Sequence, residues 1–164
     1  MVFFQRLRNL TLSLLIVAPL FAEQVEVTAD NFFADELKHI SVLTGNVHVK
    51  KGAFDTLDSQ KITIHFNDNR QPVKYVATEN ARFNILINKS HYNGKGNELV
   101  YLPASNQYIL TGDAWIEEVE SKREVFGNII TINQSSGKYE VESFKNSQNQ
   151  EKKPAKLIFH IEED

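Results

Sequence analysis

The chain has 164 residues, a formal net charge of −3, 41% hydrophobic residues and no cysteine. This length is sufficient for one domain with its own core. The mildly acidic balance argues against nucleic acid as a partner, because phosphate binding needs clustered Lys and Arg. The absence of cysteine excludes disulfides, thiolate nucleophiles and cysteine metal sites.

The N-terminal segment has the pattern of a secretory signal. Arg6 and Arg8 precede an apolar run from Leu10 to Phe21, and the small residue Ala22 follows it. A run of about 12 apolar residues is too short for a helix that spans a bilayer, which needs about 20. We therefore predict export to the bacterial periplasm with cleavage after Ala22; an uncleaved membrane anchor is the alternative.

The rest of the chain alternates apolar and polar residues over short stretches, which is typical of half-buried strands. Such stretches occur at residues 47–50, 62–66, 83–88, 130–132 and 139–141. Clusters of turn-forming residues lie at 67–70, 93–96, 103–106 and 134–137. No segment shows a sustained helical period. The pattern predicts an all-β fold of antiparallel strands, either a sandwich, a jelly roll or a β-solenoid.

The strands also repeat along the chain. When Asp30, Gln60, Asn97 and Asn128 are aligned, apolar residues recur two and four positions further on. These are Phe32, Ile62, Leu99 and Ile130, followed by Ala34, Ile64, Tyr101 and Ile132. A second element recurs as Thr-Gly-Asn at 44–46 and Thr-Gly-Asp at 111–113, with Thr-Glu-Asn at 78–80 as a weaker copy. Repeated units of this kind bury their apolar faces by stacking on each other.

Several of these motifs resemble a known repeat. They are Leu-Thr-Gly-Asn-Val at 43–47, Gly-Asn-Glu-Leu-Val-Tyr at 96–101, Leu-Thr-Gly-Asp-Ala at 110–114 and Gly-Asn-Ile-Ile at 127–130. Together they resemble the OstA-like repeat of the lipopolysaccharide-transport proteins LptA, LptC and the periplasmic part of LptD. The resemblance covers roughly residues 25–141, and the layout of the whole chain is most similar to LptA. Since Glu79 replaces the glycine of the other copies, we expect its corner to be built differently.

The resemblance implies a twisted, partly open β-jelly roll that carries lipopolysaccharide acyl chains between its sheets. The residues on the apolar phase of the strands are then candidates for a lipid-binding groove. They are Val47, Val49, Ile62, Ile64, Phe66, Phe83, Ile85, Leu99, Tyr101, Ile116, Ile130 and Ile132. Alternation alone favours an ordinary packed core for the same residues, and only the resemblance favours a groove. No catalytic motif, metal-ligand spacing or cofactor-binding loop is present in the sequence, so we predict a protein that is not an enzyme and has no metal or cofactor.

The predicted organisation has three parts: a signal peptide at 1–22, an OstA-like β-repeat domain at 23–145, and a polar linker with a terminal strand at 146–164. The resemblance implies head-to-tail association and partners similar to LptC and LptD, serving outer-membrane biogenesis. The expected assembly edges are Val25, Val27, Leu157, Phe159 and Ile161, in strands that contain no proline. The alternatives are an envelope scaffold that carries no lipid, or an anchored component similar to LptC.

Overall fold

The computed structural model describes residues 24–143 and 154–161. Within these ranges the chain forms one antiparallel sheet of ten strands and a short 3₁₀ turn at Pro103–Ser105. The strands are β1 (Val25–Thr28), β2 (Asn31–Asp35), β3 (Ile40–Lys51), β4 (Asp55–Phe66), β5 (Pro72–Ile87), β6 (Ser90–Leu102), β7 (Gln107–Glu118), β8 (Arg123–Asn133), β9 (Lys138–Glu142) and β10 (Lys156–Ile158). The predicted all-β fold is confirmed. The predicted signal peptide and the linker at 146–153 lie outside the described residues.

The sheet is a simple succession of hairpins. Its strands follow the order β1-β3-β4-β5-β6-β7-β8-β10, while β2 also pairs with β3 and β9 also pairs with β8. β1 and β2 therefore lie end to end along one edge, and β10 and β9 lie end to end along the other. Among the described residues, no helix has the length and apolar character needed to cross a membrane.

The long strands bend near their middles, where the pairing register shifts. In β3 the shift falls at Gly45 and Asn46, whose φ angles are 78° and 45°. In β7 it falls at Gly112 and Asp113, with φ angles of 77° and 47°. An extra residue in one strand of a pair bends that strand and increases its twist. We call the line of these bends across the sheet the corner.

The corner divides the sheet into two layers that face each other. The first layer contains β1, residues 47–51, 55–59, 81–87, 90–96, 114–118 and 123–127, and β10. The second layer contains β2, residues 40–44, 61–66, 72–78, 98–102, 107–111 and 129–133, and β9. The side opposite the corner, where the hairpin turns of both layers lie, is called the mouth.

The sequence repeat coincides with this geometry. Gln60, Asn97 and Asn128 lie at the corner, opposite the register shifts of their neighbouring strands. Asp30 lies at the same level between β1 and β2, and its N–H donates to the Gly45 carbonyl at 2.9 Å. The apolar residues two positions after these four lie side by side across the second layer, in a single row of cross-strand partners. The row contains Phe32, Ile62, Leu99 and Ile130, and each is linked to the next through a paired residue of the strand between them.

The corner at Glu79 is not built differently, and that prediction is wrong. Glu79 and Asn80 have φ angles of 64° and 66°, in the same left-handed region as the glycine-containing corners. The register of β5 shifts there as it does in β3 and β7. The glutamate has adopted a conformation that suits glycine, since the neighbouring strands on both sides impose the bend.

Replacing Glu79 with glycine should therefore stabilise the fold. A left-handed backbone costs about 1–2 kcal/mol for a residue with a Cβ, and part of this gain is lost to the greater freedom of glycine in the unfolded chain. We expect Glu79→Gly to raise the free energy of unfolding by about 1 kcal/mol, measured by urea denaturation. The matched control is Glu140→Gly in β9, where φ is not positive and the same change should be destabilising. A lower stability for Glu79→Gly would contradict the strain at this corner.

Two other predictions about the strands need correction. Residues 93–96 do not form a turn but lie inside β6, and the turn falls earlier, at Asn88 and Lys89, which have φ angles of 48° and 73°. Gly94 is needed for close packing, because a Cβ there would lie 2.3 Å from the ring of Phe83. The last strand ends at Ile158 rather than at residue 161. Ile158 pairs with Glu124, and only Arg123 of β8 remains beyond that pair.

Candidate functional site

The interior between the two layers is the main apolar feature of the fold. Each layer directs one face of its strands inward, and the buried side chains of both layers form a single cluster. Phe83 of the first layer stacks on Tyr108 of the second, with ring centroids 5.6 Å apart. Tyr108 in turn stacks on Tyr101 at 4.5 Å. The aromatic rings therefore connect the layers near the middle of the interior.

The twelve candidate groove residues all lie in or against this interior. Ten of them are buried: Val47, Val49, Ile62, Ile64, Phe83, Ile85, Leu99, Ile116, Ile130 and Ile132. Phe66 and Tyr101 are partly buried and pack against the same cluster. Their strand neighbours His65, Asn84 and Thr131 are more exposed. All twelve residues that alternation placed on the apolar phase therefore face the interior or pack against it.

Sequence reasoning missed other interior residues. They are Leu43, Leu57, Tyr75, Ala77, Ala81, Ile87, Tyr108, Leu110, Ala114 and Val125. In β4 the inward positions are 57 and 59 before the corner and 62 and 64 after it. In β8 they change in the same way, from 125 and 127 to 130 and 132. A strict alternation read through the corner of β4 or β8 loses Leu57 and Val125, because the corner shifts the inward phase of these two strands by one residue.

The interior is nearly filled in this structure. A cavity of about 40 Å³ remains between the layers, lined mainly by Val25, Val49 and Leu57 of the first layer and by Tyr75, Tyr101 and Tyr108 of the second. Since a buried water needs about 10–15 Å³ by this kind of measure, the cavity has room for about three waters. It is too small for an acyl chain. Burial also raises the pKa of Tyr75, which moves the ionisation of this phenol further from neutral pH.

Polar side chains connect the two layers at the mouth. The Lys51 ammonium of the first layer donates to the Tyr101 hydroxyl of the second at 3.0 Å. The Gln134 amide, just after β8, donates to the Asp55 carboxylate at 2.8 Å and to the Leu86 carbonyl at 3.0 Å. We call these three interlayer hydrogen bonds the clasp. At the corner, by contrast, the layers are joined by continuous backbone.

A second group of charges borders the interior near the other end of the mouth. Arg123 donates to the Glu118 carboxylate, which also accepts from the Ser121 hydroxyl at 2.7 Å. Although partial burial opposes ionisation, the hydrogen bonds from Ser121 and Arg123 lower the pKa of Glu118. Tyr92 packs against the interior cluster beside this pair. The interior is thus apolar in its depth and charged along its rim, an arrangement that suits an amphiphile.

Comparisons with known proteins agree with this architecture. The family model described as LptA/(LptD N-terminal domain) LPS transport protein matches residues 26–138. The fold is similar to the crystal structure of LptH from Pseudomonas aeruginosa, described as the LptA homologous periplasmic component of the conserved lipopolysaccharide transport device. That match has a TM-score of 0.73 at 16% identity and covers 85% of this chain and 96% of LptH. No curated protein sequence matches the chain significantly. Because the family model covers most of its length, the chain belongs to the lipopolysaccharide-transport family of LptA and the LptD N-terminal domain.

Proposed function

We propose that this chain is a periplasmic lipopolysaccharide carrier whose two layers separate at the mouth to admit lipid A acyl chains. The observation that carries the proposal is an apolar interior bounded at its mouth by polar side-chain contacts. Each methylene moved from water into such an interior contributes about 0.8 kcal/mol. A few acyl chains therefore bind without special polar chemistry, and the phosphorylated headgroup stays at the charged rim.

The proposed location is the periplasm. Arg6, Arg8, the short apolar run and Ala22 support export through a cleaved signal peptide. The description of LptH as a periplasmic component supports the same compartment. In this location the chain would receive lipid from an inner-membrane component similar to LptC and deliver it to an outer-membrane component similar to LptD. Association with these partners and with further copies of itself belongs to the proposal.

A scaffold that carries no lipid is the second candidate. The observation that favours it is the small size of the cavity, about 40 Å³, because a filled interior needs no ligand to be stable. In that case the inward residues are simply the core, and the end strands connect envelope proteins. The two candidates differ in whether lipid ever contacts the inward face of the strands.

Site-specific photo-cross-linking tests the carrier directly. A photoreactive phenylalanine analogue at Phe83, and a diazirine amino acid at Ile64 and Ile132, should capture lipopolysaccharide when the protein is expressed in its own cell. These residues lie on the inward face in different repeats. Phe83 is the best position, because the analogue preserves most of the ring that packs there.

The matched controls are the outward neighbours His65, Asn84 and Thr131. They should capture little or no lipid, and circular dichroism should show that all variants remain β-rich. Equal capture from both faces would contradict the interior as the binding site. Absence of capture from either face, in folded protein, would favour the scaffold.

A further inference from the structure

Two aromatic side chains lie next to each other on the outward face of the first layer. Trp115 of β7 and Phe126 of β8 are direct cross-strand partners. Their strand neighbours Ala114, Ile116 and Val125 are buried, so both rings point away from the interior. Neither ring therefore contributes to the apolar space between the layers.

A lysine lies on each side of this aromatic pair. Lys95 pairs with Trp115 across the sheet, and Lys156 pairs with Phe126. The Lys95 ammonium lies 5.4 Å from the centroid of the indole ring, and the Lys156 ammonium lies 5.4 Å from that of the phenyl ring. Attraction between an ammonium and the negative face of a ring favours such positions. The four side chains therefore form one row, with two rings between two positive charges.

An open cleft of about 550 Å³ lies between this row and the corner, and we call it the outer cleft. Both rings line it, together with Pro154 and Ala155 at the start of the segment that forms β10. Its volume is within the range of about 300–1,000 Å³ that is usual for small-molecule sites. The indole N–H of Trp115 donates to the Glu124 carboxylate at 2.9 Å, which fixes the orientation of the ring before a ligand binds.

The charges around the outer cleft fit an anionic ligand. Among the described residues that line it, Lys95 and Lys156 are cationic and Asp113 alone is acidic. The sequence at 144–153, which precedes the cleft residue Pro154, contains three lysines and one glutamate. Because like charges repel, this part of the chain is a poor occupant for a cleft that already carries two lysines. Charge complementarity therefore favours an anion from another molecule.

The two rings add a requirement for a flat face. A pyranose ring has such a face, because C–H groups on one side of the sugar are slightly positive and suit the negative face of an aromatic ring. A carboxylate or phosphate on the sugar accepts charge-assisted hydrogen bonds from lysine. The Asp113 carboxylate can accept hydrogen bonds from sugar hydroxyls. An acidic peptide matches the lysines, but its backbone offers no comparable face.

We propose that the outer cleft binds an anionic saccharide, whose ring stacks on Trp115 and Phe126 while Lys95 and Lys156 hold its acidic group. The site lies outside the interior, so its binding requires no separation of the layers and goes beyond the proposed lipid carriage. Two saccharides of the proposed compartment have this chemistry. They are the phosphorylated saccharide of lipopolysaccharide and the carboxylated glycan of the cell wall.

The test uses the fluorescence of Trp115, which is the only tryptophan in the chain. Trigalacturonate, a carboxylated trisaccharide, should change the emission in a saturable manner, and saturation-transfer NMR should detect the bound sugar. Neutral maltotriose lacks the charge, and the acidic peptide triglutamate lacks the sugar ring. Each should bind at least about fivefold more weakly, since loss of about 1 kcal/mol of binding energy corresponds to this factor.

Single substitutions then locate the charge that matters. Lys95→Gln and Lys156→Gln should each weaken trigalacturonate binding about threefold to fivefold, as expected for an exposed ion pair. The matched control is Lys50→Gln, because Lys50 is exposed in the same layer but does not line the cleft. This control removes the same charge from the protein and should leave the affinity unchanged.

Equal losses in Lys50→Gln and Lys95→Gln would show unspecific attraction and overturn the site. Triglutamate binding as tight as that of trigalacturonate would replace the saccharide with an acidic peptide. Absence of binding by both fluorescence and NMR, in protein that is β-rich by circular dichroism, would also overturn the inference. Competition by deacylated lipopolysaccharide or by soluble cell-wall glycan fragments would support it and identify the source. Lipid capture at Phe83 tests the carrier function separately.

Discussion

A cross-link across the mouth should block nearly all lipid uptake. In the double variant Asp55→Cys and Gln134→Cys, a short bifunctional methanethiosulfonate reagent joins the layers where the clasp now joins them. Because the cavity of about 40 Å³ between the layers is too small for an acyl chain, we expect acyl chains to enter when the layers separate. We expect uptake of fluorescent lipopolysaccharide before the reagent is added, loss of uptake afterwards, and recovery when a reductant cleaves the link.

The control is a double-cysteine variant in which the same reagent links two strands of one layer. Asp58 and Arg82 are direct cross-strand partners on the outward face of the first layer, so linking Asp58→Cys to Arg82→Cys leaves the mouth free to open. This variant should take up lipid with or without the reagent. Full uptake by the linked Asp55 and Gln134 variant would show that lipid reaches the protein without separation of the layers at this point.

The hydrogen bonds of the clasp are weak enough for the mouth to open reversibly. Two of the three clasp bonds involve a charged group, and charged bonds contribute about 1.5–3 kcal/mol each, against about 0.5–1.5 kcal/mol for a neutral one. Breaking the clasp therefore costs about 4–7 kcal/mol. At about 0.8 kcal/mol per buried methylene, five to nine methylenes offset this cost. The acyl chains also replace the apolar contacts between the layers that opening breaks, and their release allows the clasp to form again.

Truncating Phe83 should cause the largest loss of stability of any substitution discussed here. Its side chain is 1% exposed and stacks on Tyr108 across the interior. The backbone of Gly94 lies directly against its ring. Because these neighbours belong to different strands, they cannot collapse into the space that the ring leaves. We expect Phe83→Ala to lower the free energy of unfolding by about 3–5 kcal/mol, measured by urea denaturation at constant m-value.

Phe54→Ala is the matched control, since Phe54 is 59% exposed in the turn between β3 and β4. The same truncation there should change the free energy of unfolding by less than about 0.5 kcal/mol. A loss of under about 1 kcal/mol for Phe83→Ala would indicate that the layers are already apart in solution. That result would also remove the need for the clasp to open during lipid uptake.

The strands and most of their inward positions can be predicted from the sequence alone. Alternation assigned residues such as Ile62, Ile64 and Phe83 to the interior, because side chains of a strand point to opposite faces in turn. The repeat can also be recognised in the sequence, since Gln60, Asn97 and Asn128 recur at the positions where the sheet bends. These features are local or periodic, so a single chain contains all the information needed to recognise them.

The effect of the bends depends on contacts between strands and is visible only in the folded protein. The shift of inward phase that brings Leu57 and Val125 into the interior depends on a register change between neighbouring strands. Glu79 adopts a left-handed backbone because strands on both sides bend at the same level, and its own preference predicts otherwise. The clasp joins Asp55 to Gln134, 79 residues apart, and no local pattern connects them. Whether the inward residues form a filled core or an open groove depends on how closely the two layers approach, and that distance is set by contacts between strands far apart in the chain.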